Sequence, residues 1–238
     1  MNNEKGKLYL IPTTLGDNEP LEVLPLSVRK TIDEVSHFIV ENEKSARRFI
    51  KKITPRKNQQ SLNIQLIDKF TQEEDTQHYL DICNEGVDVG LLSEAGNPAI
   101  ADPGASMVKL AHQKNIKVVP LVGPSSILLA MMSSGFNGQN FAFNGYLPIE
   151  SDERKHKVKQ LEKQSKALNQ SQIFIETPYR NDKLFIHLLQ ILTPTTYLCI
   201  AADLTLPTEF IKTNTVNDWK HQKPNLHKRP AIFIIHKF

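Results

Sequence analysis

Three loops of small residues carry the first hint of chemistry in this chain: residues 11–16 (Ile-Pro-Thr-Thr-Leu-Gly), 93–104, which holds Ser-Glu-Ala-Gly-Asn-Pro and Ala-Asp-Pro-Gly, and 121–126 (Leu-Val-Gly-Pro-Ser-Ser). Each directly follows a short apolar run of β type. Small residues let a ligand approach backbone N–H and C=O groups closely. Ordinary turn chemistry accounts for any one such loop. Three of them at strand ends would line one edge of a parallel sheet, where ligands of open α/β sheets bind. No charged residue occurs from Val118 to Ile149, so the edge suits a mostly apolar site for a small organic cofactor. A second feature is cationic. Along residues 44–53, Ala46, Phe49, Ile50 and Ile53 recur at helical spacing, while Lys44, Arg47, Arg48, Lys51 and Lys52 form the opposite stripe. Between residues 44 and 67 there are seven basic residues and no acidic one. Such a stripe is either a solvated helix face or a phosphate-binding surface.

The elements that position these residues follow from the pattern of apolar runs. Strands are expected at 8–11, 38–40, 62–67, 87–92 and 116–119, with helices between them at 21–34, 43–53, 71–85 and 103–114. This alternation is that of βαβ units on a parallel sheet. In the second half, strands are expected at 141–143, 172–175, 196–201, 209–214 and 231–236, with helices at 152–168 and 181–192. Strands that follow one another this closely indicate a mixed sheet. The reading is therefore two α/β domains, 1–123 and 141–238, joined by a connecting helix and linker over 124–140. The uncharged run is broken by Pro120, Gly123, Pro124, Gly135, Gly138 and Asn140, and reads as strand, turn, buried helix, turn and strand rather than a bilayer span.

A chain of 238 residues with 39% hydrophobic and 23% charged residues excludes collagen-like, coiled-coil and strongly disordered classes. A net charge of +3 permits a polyanionic partner without requiring one. Cys83 and Cys199 fit neither a disulfide framework nor a zinc site, and no metal is expected. The apolar stretch before Pro12 is too short for a signal peptide. Dinucleotide, phosphate-loop, zinc-protease and serine-hydrolase motifs are absent from the sequence.

Residues 90–104 (GLLSEAGNPAIADPG) resemble the S-D-A-G-x-P-x-I-S-D-P-G loop of the tetrapyrrole methylase superfamily, in the branch of small-subunit ribosomal RNA cytidine 2′-O-methyltransferases. Residues 8–16 are similar to the opening L-Y-L-V-x-T-P-I-G, 118–125 to V-V-P-L-P-G-A-S, and 141–148 (FAFNGYLP) to F-x-F-E-G-F-L-P. Residues 176–180 (ETPYR) resemble E-S-P-H-R, and 202–210 resemble the R-E-L-T-K-x-x-E segment. The resemblance implies S-adenosyl-L-methionine bound in a cleft between two α/β domains, and a homodimer. Matched motif by motif, it implies Pro12, Ser93, Ala95, Gly96, Asn97, Ile100, Ser125, Ser126, Tyr146, Leu147 and Pro178 as cofactor-lining residues. The chain departs from the branch at residues 41–46 (Glu-Asn-Glu-Lys-Ser-Ala), where the branch has E-D-T-R-x-T. It departs also at Glu94 for Asp, Gly123-Pro124 for G-A and Tyr179 for His. It ends just after the last expected strand, where many relatives continue into a small extra domain.

Methyl transfer from a sulfonium needs mainly positioning of its two reactants. A ribose hydroxyl is a poor nucleophile and benefits from a base. Glu41 and Asp102 are the candidates, since both follow strands at the cleft edge, and each is equally suited to be a cap or turn carboxylate. Arg180 is placed either to hold a phosphate or carboxylate through its planar fork or to sit at the surface of a helix start. The expected function is 2′-O-methylation of a ribose in ribosomal RNA in the cytoplasm, with Lys44, Arg47, Arg48, Lys51 and Lys52 on the RNA. The alternatives are a methyltransferase for a tetrapyrrole or other small molecule, and a non-catalytic RNA-binding relative.

Overall fold

The computed structural model describes residues 4–68 and 70–238; residues 1–3, where the segment judged too short for a signal peptide begins, lie outside it. The chain divides into two compact units, Met1–Ser125 and Ser126–Phe238.

The first unit runs β1 (Lys7–Ile11), α1 (Pro20–Val23), α2 (Leu26–Glu34), β2 (His37–Val40), α3 (Glu43–Ile53), β3 (Asn63–Leu66), α4 (Glu73–Thr76), β4 (Val89–Leu92), α5 (Ala105–Gln113) and β5 (Lys117–Pro120). Its five strands pair in the order β3-β2-β4-β1-β5, all parallel. Alternate strand residues serve opposite faces. Ile11, Phe38, Val40 and Leu92 pack with α2 and α3 on one, and Leu8, Ile39, Val89 and Leu91 with α5 on the other. Gly90 sits where a Cβ would lie 2.7 Å from Ile11 Cδ1, so any larger residue in the central strand β4 would have to displace Ile11 and crowd Phe38. Two expected helices are broken. The 21–34 segment splits at Pro25, whose ring disfavours helix for the residue before it. The 71–85 segment is a single turn, α4, followed by a 3-10 turn at Asp81–Glu85. Leu80 and Cys83, both fully buried, stand three residues apart, the repeat of that tighter helix.

The second unit runs α6 (Ser126–Ser134), β6 (Phe141–Tyr146), α7 (Ser151–Leu168), β7 (Ser171–Ile175), α8 (Asn181–Ile191), β8 (Tyr197–Ala202), β9 (Phe210–Thr215), α9 (Val216–Trp219) and β10 (Ala231–His236). Its sheet is mixed, in the order β6-β7-β10-β8-β9, with β6 parallel to β7 and the other pairs antiparallel. Phe174 and Phe233 stack across β7 and β10 at 6.1 Å. The Trp219 indole N–H donates to the Leu198 carbonyl at 2.8 Å, which fixes the short α9 that the sequence pattern did not reveal. Helix α6, expected to be buried, is not buried all round. It packs on β8, β9 and β10 but exposes Leu128 (51%) and Met132 (80%). Among the described residues, no helix is long and apolar enough to cross a membrane.

Glu162 of α7 anchors this unit. It is buried and accepts from Thr193 N at 2.7 Å, Thr193 Oγ1 at 2.9 Å, Thr196 Oγ1 at 2.5 Å and Lys159 Nζ at 3.1 Å. Burial by itself would raise its pKa, but these donors outweigh it and hold the carboxyl below its ordinary value. The stabilisation is therefore fully present above the ordinary carboxylate range and fades as pH falls through the lowered value. Replacing Glu162 with Ala is expected to cost about 2–4 kcal/mol of unfolding free energy at neutral pH. Denaturant unfolding should show the difference shrinking on acidification; a constant difference down to low pH would contradict it.

Candidate functional site

The parallel first sheet brings the three small-residue loops to one edge, because β1, β4 and β5 are neighbours and all end there. Backbone and side-chain bonds stitch the first two loops together. Thr13 N donates to the Gly96 carbonyl at 2.9 Å, Thr13 Oγ1 to the Ser93 carbonyl at 3.3 Å, and Ser93 Oγ to the Gly96 carbonyl at 3.1 Å. The third loop closes on the first through Gly123, where a Cβ would lie 2.2 Å from Pro12 Cβ. Only glycine permits that approach, so the Gly123-Pro124 departure keeps the residue that geometry requires. Pro12 and Ser93 are buried, Asn97 and Ser125 half-buried, and Ala95 and Ile100 exposed.

The second loop is strained and braced. Gly96, Ala99 and Ala101 all have left-handed backbone, with φ of 75°, 66° and 62°, which for alanine costs free energy and is characteristic of functional loops. Asp102 Oδ1 accepts from Ala99 N and Gly104 N, both at 2.8 Å, so this carboxylate is first a loop brace. Its Oδ2 is buried and has no hydrogen-bond partner among the described residues. Burial raises the Asp102 carboxyl above its ordinary value, against those two amide bonds. Glu41, just beyond β2, accepts from Glu94 N at 3.2 Å through Oε1. Its carboxyl is also raised, by burial first and then by the charges of Asp102 and Glu94.

Helix α3 starts at the same edge. Asn42 caps it by accepting from Lys44 N at 2.9 Å and Ser45 N at 3.2 Å, so asparagine does the cap work open to an aspartate at that position. Ser45 Oγ donates to Glu94 Oε1 at 2.5 Å. The helix buries Ala46, Ile50 and Ile53, and its five cations differ in availability. Arg47 is bound to Glu43 at 2.7 Å and donates to the Gln59 carbonyl. Lys52 is held by Asp17 at 3.1 Å, Glu19 at 3.4 Å and the Asn18 carbonyl at 2.8 Å. Lys44, Arg48 and Lys51 are exposed, and their side chains make no ion pair or hydrogen bond among the described residues. A cleft of about 480 Å³ joins these parts: Thr13, Gly16, Ser93 and Ala95 line it from the loops, Ser45, Arg48 and Lys52 from α3.

In the second unit the candidates gather at the end of the parallel pair β6 and β7, where Tyr146 is in register with Ile175. A bulge at Asn144-Gly145, with Gly145 at φ 63°, interrupts β6. The Asn144 amide staples it by donating to the Ala142 and Ile173 carbonyls and to Gln172 Oε1. The strand thus continues past the expected end at 143 and presents an exposed Tyr146. Leu147 is a core residue packed with Val158, Leu161 and Phe174, so its side chain is committed to the core. Ser126 is the first residue of α6, and Pro178 is half-buried. Arg180 is committed to a partner: its Nε and Nη2 donate to Glu176 Oε1 at 3.0 and 2.6 Å, and that carboxylate is only 2% exposed. The pair is local in sequence, four residues apart in the turn between β7 and α8. A network missed entirely joins the same sheet edge. Asp203 binds Arg229 at 2.7 Å and accepts from Thr208 Oγ1 at 2.8 Å, with Asp203 and Thr205 both at positive φ.

Comparison with known proteins agrees with this architecture. Residues 7–219 match the model of the family described as Tetrapyrrole (Corrin/Porphyrin) Methylases. A protein of Buchnera aphidicola named Ribosomal RNA small subunit methyltransferase I is 27% identical over 98% of this chain and 79% of its own length. The Vibrio cholerae protein of the same name is 29% identical over 97% and 77%. That of Thermotoga maritima is 31% identical over 74% and 73%. Among solved structures, the methyltransferase CobJ superposes with a TM-score of 0.65 at 15% identity, covering 98% of this chain and 94% of that one. A uroporphyrin-III C-methyl transferase from Thermus thermophilus, complexed with S-adenyl homocysteine, gives 0.58 at 16% identity, covering 98% of each. With a family match across most of its length, the chain belongs to the tetrapyrrole methylases and is an S-adenosylmethionine-dependent methyltransferase.

Proposed function

We propose that this protein methylates a ribose 2′-hydroxyl of small-subunit ribosomal RNA. The observation that carries the reading is the cleft that is lined at once by the small-residue loops and by the basic helix α3. Relatives named for ribosomal RNA align with nearly the whole chain, whereas the tetrapyrrole enzymes share the fold at low identity.

The residues fit the cofactor. Loop backbone at Ser93, Ala95, Gly96 and Asn97, with Pro12 and Ser125 beside it, offers small-residue amides and carbonyls, and Asp102 Oδ2, buried without a partner among the described residues, offers an acceptor for a ligand hydroxyl or amine. S-adenosylmethionine, when bound, supplies a methyl group on a sulfonium that leaves readily. The protein's work is then to hold the acceptor and remove its proton. Glu41 is the proposed base, since its raised pKa makes it a stronger proton acceptor than an ordinary carboxylate. Asp102 is the brace of the loop. Lys44, Arg48 and Lys51 hold phosphates of the acceptor, while Arg47 and Lys52 shape the helix and its rim. Arg180 orders the turn after β7 through Glu176.

Ala95 lines the cleft and is exposed, so Ala95→Trp fills ligand space without touching the core. Calorimetry with S-adenosylhomocysteine is expected to show at least a tenfold loss of affinity in a variant that melts like the parent; unchanged affinity would place the cofactor elsewhere. The reading also includes a cytoplasmic homodimer. Pairing would cover apolar side chains such as Leu128 and Met132 of α6, and an obligate interface would exceed ~2,000 Å². Light scattering at micromolar protein is expected to give twice 27.0 kDa; a monomer mass would reject it.

A further inference from the structure

We propose that helix α7 carries a second RNA-contacting surface, a lysine stripe that grips the phosphate backbone independently of α3. Residues 154–166 contain six basic residues and one acidic one. At 100° per residue, Lys155, Lys159, Lys163 and Lys166 fall within an arc of roughly 80°, beside the buried face of Arg154, Val158, Leu161 and Ser165. All four lysines are exposed. Their spacing sets successive charges about 4.5–6 Å apart along the axis.

The single acid of this stretch does not balance the stripe at the surface. Glu162 is buried and committed to Thr193 and Thr196, and pairs with Lys159. Lys155, Lys163 and Lys166 make no ion pair or hydrogen bond among the described residues. Lys237, beyond β10, adds a further cation: its ammonium donates to Thr193 Oγ1, with no carboxylate partner among the described residues. A shallow cleft of about 570 Å³ opens between these groups, lined by Lys159, Glu162, Lys163, Lys166, Ala167 and Lys237.

Like charges at i and i+4 destabilise a helix, and Lys155, Lys159 and Lys163 form two such pairs in succession. A face built only for solvent intersperses Glu with Lys. Past its first turn, where the exposed Asp152 falls within the same arc, this one concentrates a single sign, and the partner that offsets the repulsion is a polyanion of regularly spaced charges. Among polyanions, RNA is favoured because it is the proposed acceptor, and to that extent the inference rests on the proposed function. The stripe has no aromatic or bulky apolar side chain among its lining residues, so the contact is to phosphates rather than to bases.

The test measures RNA binding by full-length protein across a salt series, separately from methyl transfer. Lys155, Lys163 and Lys166 are replaced together by Gln, which keeps helix propensity. A charge-matched control replaces the exposed Lys30, Lys220 and Lys223. The stripe variant is expected to lose about two from the magnitude of the slope of log affinity against log salt, at ~0.7 per single-strand phosphate. The control should keep the parental slope, and both variants should melt no lower than the parent. A parental slope in the stripe variant, or an equal loss in the control, overturns the proposal. So does a parent that binds phosphatidylserine vesicles through the stripe and RNA not at all. A parent that binds RNA through the stripe yet transfers no methyl to it supports the surface while defeating the proposed activity.

Discussion

Glu41→Gln is expected to lower the turnover of methyl transfer by about 10²–10⁴-fold while leaving S-adenosylhomocysteine affinity within a few-fold of the parent. Glu41 touches the loop through one bond, Oε1 to Glu94 N, and Gln can accept it equally. What Gln cannot do is take a proton. The sign of the pH dependence follows from the same environment. Burial, aided by Asp102 and Glu94, raises the Glu41 pKa, so the basic form is lost at a higher pH than for an ordinary carboxylate. Turnover of the parent should therefore fall as pH decreases through that raised value, and the residual rate of the Gln variant should lack this limb. A variant that retains at least a third of parental turnover with the same pH profile would remove Glu41 from the mechanism.

The second large effect concerns α3. Replacing Lys44, Arg48 and Lys51 by Gln is expected to reduce the magnitude of the RNA salt slope by about two to three, at ~0.7–0.9 per phosphate. By the same relation, affinity at 0.1 M salt would drop on the order of a hundredfold, with parent and variant converging near 1 M. Arg47 and Lys52 are left in place because Glu43, Asp17 and Glu19 already neutralise them. Fluorescence anisotropy across salt decides this; parallel lines for parent and triple variant would return the α3 stripe to a solvated helix face.

The difference between these cations shows what a sequence conveys and what it withholds. The bounds of α3 are legible because its apolar repeat, its Asn42 cap and the following Thr54-Pro55 are all local. The Arg47 partner, four residues away, is local too. The Lys52 partners lie 35 and 33 positions earlier and meet it only when the loop after β1 folds against α3. The same distinction separates Arg180, whose Glu176 is visible at i−4, from Asp203 and Arg229, whose pairing spans 26 residues. The strand edge that gathers the three loops follows from parallel order alone. The brace role of Asp102 does not, because it depends on two alanines in left-handed backbone that no residue-type rule selects. Leu147 matches its motif by position, yet the bulge before it turns the side chain into the core. The lysine repeat on α7 is legible in the sequence, but the burial of Glu162 that leaves it unbalanced is not, because it depends on Thr193 and Thr196, 31 and 34 positions away.

The most direct measurement of the central claim is the fate of label from methyl-labelled S-adenosylmethionine incubated with the purified protein and, separately, unmodified ribosomal RNA, small ribosomal subunits and a precorrin-type tetrapyrrole. The account predicts label in the RNA or the subunits, recovered after nuclease digestion as a 2′-O-methylated nucleoside, and none in the tetrapyrrole. Label on the tetrapyrrole, on a nucleobase, or in no acceptor while the cofactor binds would contradict it.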